Sequence, residues 1–156
     1  MDLRVRPVSH DDCILLYRWL NDPLMRAMSL KQGQIPIDIF KRWFYLLVTD
    51  KDVLLLIADL LVDDRWVSIA QVRIHADGED SISICEEYRG KRLATPIILA
   101  SLDFAKNNFS ISNVFTRIRC DNIPSIRAFE RAGFRFNGEI TVKNYPCVEY
   151  IYEIPT

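Results

Sequence analysis

Two carboxylates and three cations crowd around a single glycine in the run Glu86, Glu87, Tyr88, Arg89, Gly90, Lys91, Arg92. Side chains of these types can hold an anion and move a proton, provided the backbone turns them toward one place. The flanking residues supply that turn. From Ser81 to Cys85 the chain alternates, Ile82 and Ile84 to one side and Ser81, Ser83 and Cys85 to the other, which predicts a strand. An apolar helix follows at once, with Thr95 placed to cap it and Pro96 at its first position, where a missing N–H costs nothing. The amides from Arg89 through Leu93 and Ala94 to Thr95 then face outward with a helix dipole behind them, a setting that favours a phosphate or pyrophosphate.

The surrounding elements must carry this unit. Leu3 to Pro7 reads as a strand, and Ser9 with Asp12 starts a helix to about Asn21. Asn21, Asp22 and Pro23 then force a turn. Pro36 opens a helix to about Leu47 with Phe40, Trp43, Phe44 and Leu47 at helical spacing. Val53 to Val62 and Trp66 to His75 form a hairpin about Asp63 and Asp64. In its second strand Gln71, Arg73 and His75 share one face, as either a satisfied structural network or the floor of a polar substrate pocket. Ala76 to Asp80 turns into the central strand. Beyond the motif helix come a strand from Val114 to Cys120, a helix from Asn122 to Gly133, and a closing hairpin of Phe134 to Val142 and Val148 to Ile154.

The segment SISICEEYRGKRLATPIILASL resembles the acyl-CoA-binding motif of the GNAT family of N-acetyltransferases, whose loop reads Gln/Arg-x-x-Gly-x-Gly/Ala after a strand. NIPSIRAFERAGF, one helix and one strand later, resembles the family's next helix. Aligned on Gly90, the family's second Gly falls on Arg92 and its leading Gln or Arg on Glu87. The resemblance implies one α/β domain over residues 1–156, a mixed, mostly antiparallel seven-stranded sheet flanked by about four helices, with acetyl-CoA as co-substrate. It implies a thioester contact from a backbone N–H in the Cys85 to Glu87 region and a water-relayed base at Glu86 or Glu87. Asn122 and Ser125 are implied contacts to the pantetheine arm or the adenine. The family's tyrosine acid falls on Phe129, which cannot donate a proton, leaving Tyr145, a water or an unassisted thiolate.

LYRWLNDPLMRAMS resembles an acceptor-loop opening found in part of the family, which makes Asp22 and Arg26 substrate candidates, and Trp43 is placed to wall the same pocket. AQVRI resembles members that acetylate nucleotide-linked amino sugars. A site with strand-end carboxylates and no tyrosine acid suits a sugar amine or an α-amine better than a lysine, whose pKa near 10.4 costs about 4 kcal/mol of deprotonation at neutral pH. The expected acceptor is thus a nucleotide-activated amino sugar. A ribosomal-protein type N-terminal amine and a non-catalytic acyl-CoA-binding domain stand as alternatives.

A chain of 156 residues, 49% hydrophobic and with a formal net charge of -1, has a core of its own and lacks the basic excess of a nucleic-acid binder. The N-terminus has no signal-peptide core and no apolar run spans a bilayer, so a cytoplasmic protein without a membrane partner is expected. Four scattered cysteines and two histidines suggest neither a metal site nor a redox motif. A homodimer is compatible with these features.

Overall fold

The computed structural model describes residues 1–28 and 33–156. In chain order the elements are β1 (Leu3–Pro7), a 3-10 turn (His10–Asp12), α1 (Cys13–Leu20), α2 (Pro23–Met28), α3 (Ile37–Thr49), β2 (Val53–Val62), β3 (Arg65–His75), β4 (Asp80–Ile84), a second 3-10 turn (Glu86–Tyr88), α4 (Ala94–Asn108), β5 (Asn113–Arg119), α5 (Ile123–Arg131), β6 (Arg135–Val142) and β7 (Tyr145–Glu153). The expected α/β fold is present, with its seven strands divided into two antiparallel sheets, β1-β2-β3-β4 and β5-β7-β6.

Each long hairpin closes on two residues with positive φ, Asp63 and Asp64 between β2 and β3, Lys143 and Asn144 between β6 and β7. Such turns match the right-handed twist of paired strands. β2 is buried on both faces. Its Leu56 and Ala58 pack with Ile97, Ile98 and Leu102 of α4, and its Leu55 and Ile57 pack with Leu16 of α1 and Phe40, Phe44 and Leu47 of α3. A bulge at Ala58/Asp59 brings the Asp59 carboxylate to Arg4 (3.1 Å), Arg6 (3.0 Å) and the Ser68 hydroxyl (2.7 Å). Arg6 also forks onto Asp12 at 2.9 and 3.0 Å, tying the helical start to the sheet.

Among the described residues, backbone hydrogen bonding joins the two sheets at one point. Phe115 donates its N–H to the Gly78 carbonyl at 2.9 Å, beside a single parallel bridge between Glu79 and Phe115. Gly78 has φ +104°, and a Cβ there would lie 2.6 Å from the Asn113 carbonyl oxygen, so only glycine fits. From that hinge β4 and β5 diverge into a V. At its closed end Asp80 is 2% exposed, and neither carboxylate oxygen meets a hydrogen-bond partner among the described residues. Burial pushes this carboxyl up to about 7 from an ordinary 3.8.

Two local expectations need correction. The Asn21-Asp22-Pro23 turn leads directly into a helix, α2, because the Asp22 carboxylate accepts the Met25 N–H at 2.9 Å and Pro23 stands at the first helical position. Among the described residues there are then five α-helices, close to the about four expected. Helix α4 starts at Ala94 with Leu93 as its cap residue, so Thr95 does not cap it. The Thr95 hydroxyl instead donates to the Ala128 carbonyl at 3.0 Å, joining α4 to α5. No helix among the described residues is long and apolar enough to cross a membrane.

Candidate active site

The V opens into a cleft of about 560 Å³ walled by β4, β5, the loop before α4, the start of α5 and α2. Its chemistry begins with the backbone of β4. Cys85 donates its N–H to the Ile69 carbonyl at 2.8 Å, and Ser83 and Ser81 pair with Gln71 and Arg73 of β3. Antiparallel alternation then turns the N–H and C=O groups of Ile82 and Ile84 away from β3, across the cleft. The Cys85 amide, expected to face a thioester, is thus spent inside the sheet. Burial and the adjacent Glu87 push the Cys85 thiol up to about 11, which keeps it protonated and unreactive.

The loop after β4 is an anion cradle. Among the described residues, none of the amides of Gly90, Lys91, Arg92, Leu93, Ala94 and Thr95 donates within the chain, the first bond of α4 being Ile97 N–H to Leu93 C=O. Gly90 has φ +73° and nothing within 4 Å of where a Cβ would stand. Arg92 takes φ +60°, so the backbone turn is kept although its residue is not glycine. Unpaired amides, open space and the start of a 15-residue helix fit the pyrophosphate of a coenzyme A. Gly90, Arg92, Leu93, Ala94, Thr95, Asn122, Ser125 and Phe129 all line the cleft. Lys91 stands just outside, its Nζ 5.3 Å from the Tyr88 ring.

The walls carry six arginines, Arg89, Arg92, Arg117, Arg119, Arg127 and Arg131, and no carboxylate among the described residues. Arg117 is paired with Glu149 (3.1 Å) and Arg119 with Asp121 (2.9 Å), while Arg92, Arg127 and Arg131 form no ion pair among the described residues. Arg89 does not reach the anion loop. Its Nε donates to the Ile84 carbonyl (2.9 Å) and its guanidinium pairs with Asp22 at 2.8 Å. Burial opposes the Asp22 charge, but the Arg89 and Met25 hydrogen bonds outweigh it and hold the carboxyl below its ordinary value. Asp22 is therefore a brace for α2. The far end of that helix is held by Arg119, which donates to the Ala27 carbonyl at 2.9 Å. Along this helix Leu24, Met25 and Met28 present an apolar edge to the cleft.

The remaining candidates lie off the walls. Glu86 and Glu87 stand exposed on the 3-10 turn, because the chain leaves strand geometry after Ile84 and rotates them outward. Tyr145 sits at the start of β7 under the Arg119 guanidinium, 4.4 Å from its ring centre. Arg26 is buried and donates to the Gly33 carbonyl at 2.8 Å. Gln71, Arg73 and His75 form a half-buried row on the face of the first sheet opposite α4, with Arg73 over the Trp43 ring at 5.6 Å. Ser81 and Ser83, directly across from Arg73 and Gln71, do line the cleft. Two features were missed from sequence: Tyr88, a phenol on the wall, and the pair Arg127 and Arg131, one turn apart on α5. The spacing of the arginines was readable; the phenol was hidden by its place in the motif.

Residues 2–135 match the Acetyltransferase (GNAT) domain. The chain belongs to this family. An N-alpha-acetyltransferase of Saccharolobus solfataricus is 34% identical over 55 residues, 35% of this chain and 33% of that protein. A spermine/spermidine N(1)-acetyltransferase of Bacillus subtilis is 33% identical over 61 residues, 39% of this chain and 40% of that protein. The matched stretches thus span well under half of these curated relatives. In fold, a spermidine N-acetyltransferase from Vibrio cholerae, solved with CoA and spermine, superposes with a TM-score of 0.84 over 97% of this chain and 95% of that one at 15% identity. The GNAT fold is that of acetyl-CoA-dependent N-acetyltransferases, and the cleft has the amide cradle such a co-substrate needs.

Proposed function

We propose that this protein transfers the acetyl group of acetyl-CoA to the primary amine of an anionic small molecule, with a nucleotide-activated amino sugar as the acceptor. The observation that carries this reading is the wall of arginines without a single carboxylate among the described residues. A polyamine, the acceptor class in the names of two of the relatives, would meet Arg92, Arg127 and Arg131 there, which have no ion-pair partner among the described residues. The cradle from Gly90 to Thr95 binds the coenzyme's pyrophosphate, and the outward amides of Ile82 and Ile84 bind along its pantetheine arm.

The acceptor amine attacks the thioester carbonyl directly and the CoA thiolate leaves. With Phe129 buried and without a donor group, Tyr88 is the wall phenol that protonates the thiolate. No carboxylate or imidazole lines the walls among the described residues, so the amine sheds its proton to water. A sugar amine, acidified by neighbouring oxygens, does this at far smaller cost than a lysine. The Saccharolobus relative supports a second reading, acetylation of a protein α-amine, whose pKa near 7.7 to 8.0 is also low. Mass spectrometry of one mixture holding the protein, acetyl-CoA, a UDP-4-amino-4,6-dideoxy sugar and a peptide with a free N-terminus and a lysine separates them. An acetyl gain on the sugar supports the first reading, a gain on the peptide N-terminus replaces it with the second, and a gain on neither refutes both.

A further inference from the structure

The half-buried row on the face opposite α4 contains an anomaly. Arg73 makes no hydrogen bond within the described residues, and its Nε is sealed from solvent with no acceptor. Of the five donors a guanidinium presents, the Nε one is thus left unmet inside the protein, which is costly. What holds the group is the Trp43 ring, 5.6 Å away. Glu79 acts on it only through space, without an ion pair, and burial lowers its pKa from the ordinary arginine value. Around it stand hydrogen-bonding groups: Gln71 and His75 two residues to either side on the same face, Ser81 and Ser83 across the β3–β4 pair. The anion cradle lies at the start of α4, whose body covers the other face of this sheet.

We infer that Arg73 is a specificity residue, binding an oxyanion of the acceptor and thereby admitting phosphate-bearing amines while rejecting polycations. The inference rests on the acetyltransferase reading above and assigns the acceptor's diphosphate a place within it. The oxyanion meets the terminal nitrogens of the guanidinium, which are not sealed as Nε is, the surrounding amide, imidazole and hydroxyl groups meet sugar oxygens, and a spermidine-like acceptor would bring cations against a cation.

The test compares three acceptors by mass-spectrometric time courses: the UDP-4-amino-4,6-dideoxy sugar, the methyl glycoside of the same amino sugar, and spermidine. In the wild type the UDP sugar should exceed the methyl glycoside in kcat/KM by about 100-fold, the scale of one buried charge-assisted contact, with spermidine lowest. Arg73→Met should erase most of that advantage while changing the methyl glycoside by less than about threefold, and Arg73→Lys should recover part of it. Equal losses on both sugars, or none, would overturn the inference. A carboxylate-bearing amine outpacing the UDP sugar in an Arg73-dependent way would keep the anion site and replace the acceptor. If no acceptor turns over, the acetyltransferase reading fails separately, and calorimetry of UDP added to the CoA-saturated protein still decides: binding weakened about tenfold or more in Arg73→Met supports the site. Unchanged binding, or none to the wild type, refutes it.

Discussion

Replacing Asp80 by asparagine isolates one buried ionisation from everything else in the fold. The carboxyl is 2% exposed, has no partner for either oxygen among the described residues, and is pushed by burial from 3.8 to about 7. Between those two values the unfolded chain gives up the Asp80 proton while the folded one keeps it. Rising pH therefore favours the unfolded state, and stability falls from about pH 4 until it levels off above about pH 7. A shift of roughly three units corresponds to about 4 kcal/mol, an upper figure because water entering the site would relieve part of it. The amide introduced by Asp80→Asn cannot ionise and leaves a comparable neutral polar group in the same space. Urea unfolding of both proteins at half-unit steps from pH 4 to pH 8 measures the difference, in which all other titrations cancel. The two should be within about 1 kcal/mol of each other at pH 4, and the variant should lead by up to about 4 kcal/mol at pH 8. A difference that stays constant across the range would refute the reasoning, since it would mean that Asp80 ionises in the fold as it does in the unfolded chain.

Two further outcomes follow from the cleft. Glu86→Gln should change kcat/KM by less than about threefold and leave a pH profile that follows the acceptor amine, because the exposed carboxylate is off the wall; a profile that loses a limb in the variant would restore Glu86 as the base. Gly90→Ala should fold with a loss of about 1 kcal/mol, the strain of a side chain at positive φ with no clash. Its acetyl-CoA affinity, read by calorimetry, should fall at least about tenfold because the new methyl stands in the cradle. Unchanged affinity would move the pyrophosphate elsewhere.

Periodicity made most of the fold legible. The bounds of β1 and β2 are those expected, since the alternation of β1 ends at Pro7 and the largely apolar run of β2 at the Asp63-Asp64 turn, and Gly133 closes α5 where a positive φ was needed. α2 was missed because Asp-Pro carries two opposite signals, breaking the helix before it and starting the one after it. The division into two sheets depends on the Gly78 contact with Asn113, a meeting of residues 35 apart that no local pattern encodes.

At the site, residue type was legible and direction was not. The turn at Gly90 and Arg92 was legible, both having positive φ, because a turn is a local property of φ. Arg89 was not, since its partner Asp22 lies 67 positions earlier and becomes its neighbour only when α2 is laid across the cleft. The same limit explains why Tyr88 lines the cleft and Glu86 does not. A strand repeats every two residues, but after Ile84 the chain enters a 3-10 turn that repeats every three, so the side chains facing the cleft are no longer those the alternation picks out. One change of period turns the carboxylates to solvent and brings the phenol to the wall. The wall chemistry that results is cationic and phenolic, and on it rests the proposal of an acceptor that brings its own negative charge and an easily deprotonated amine.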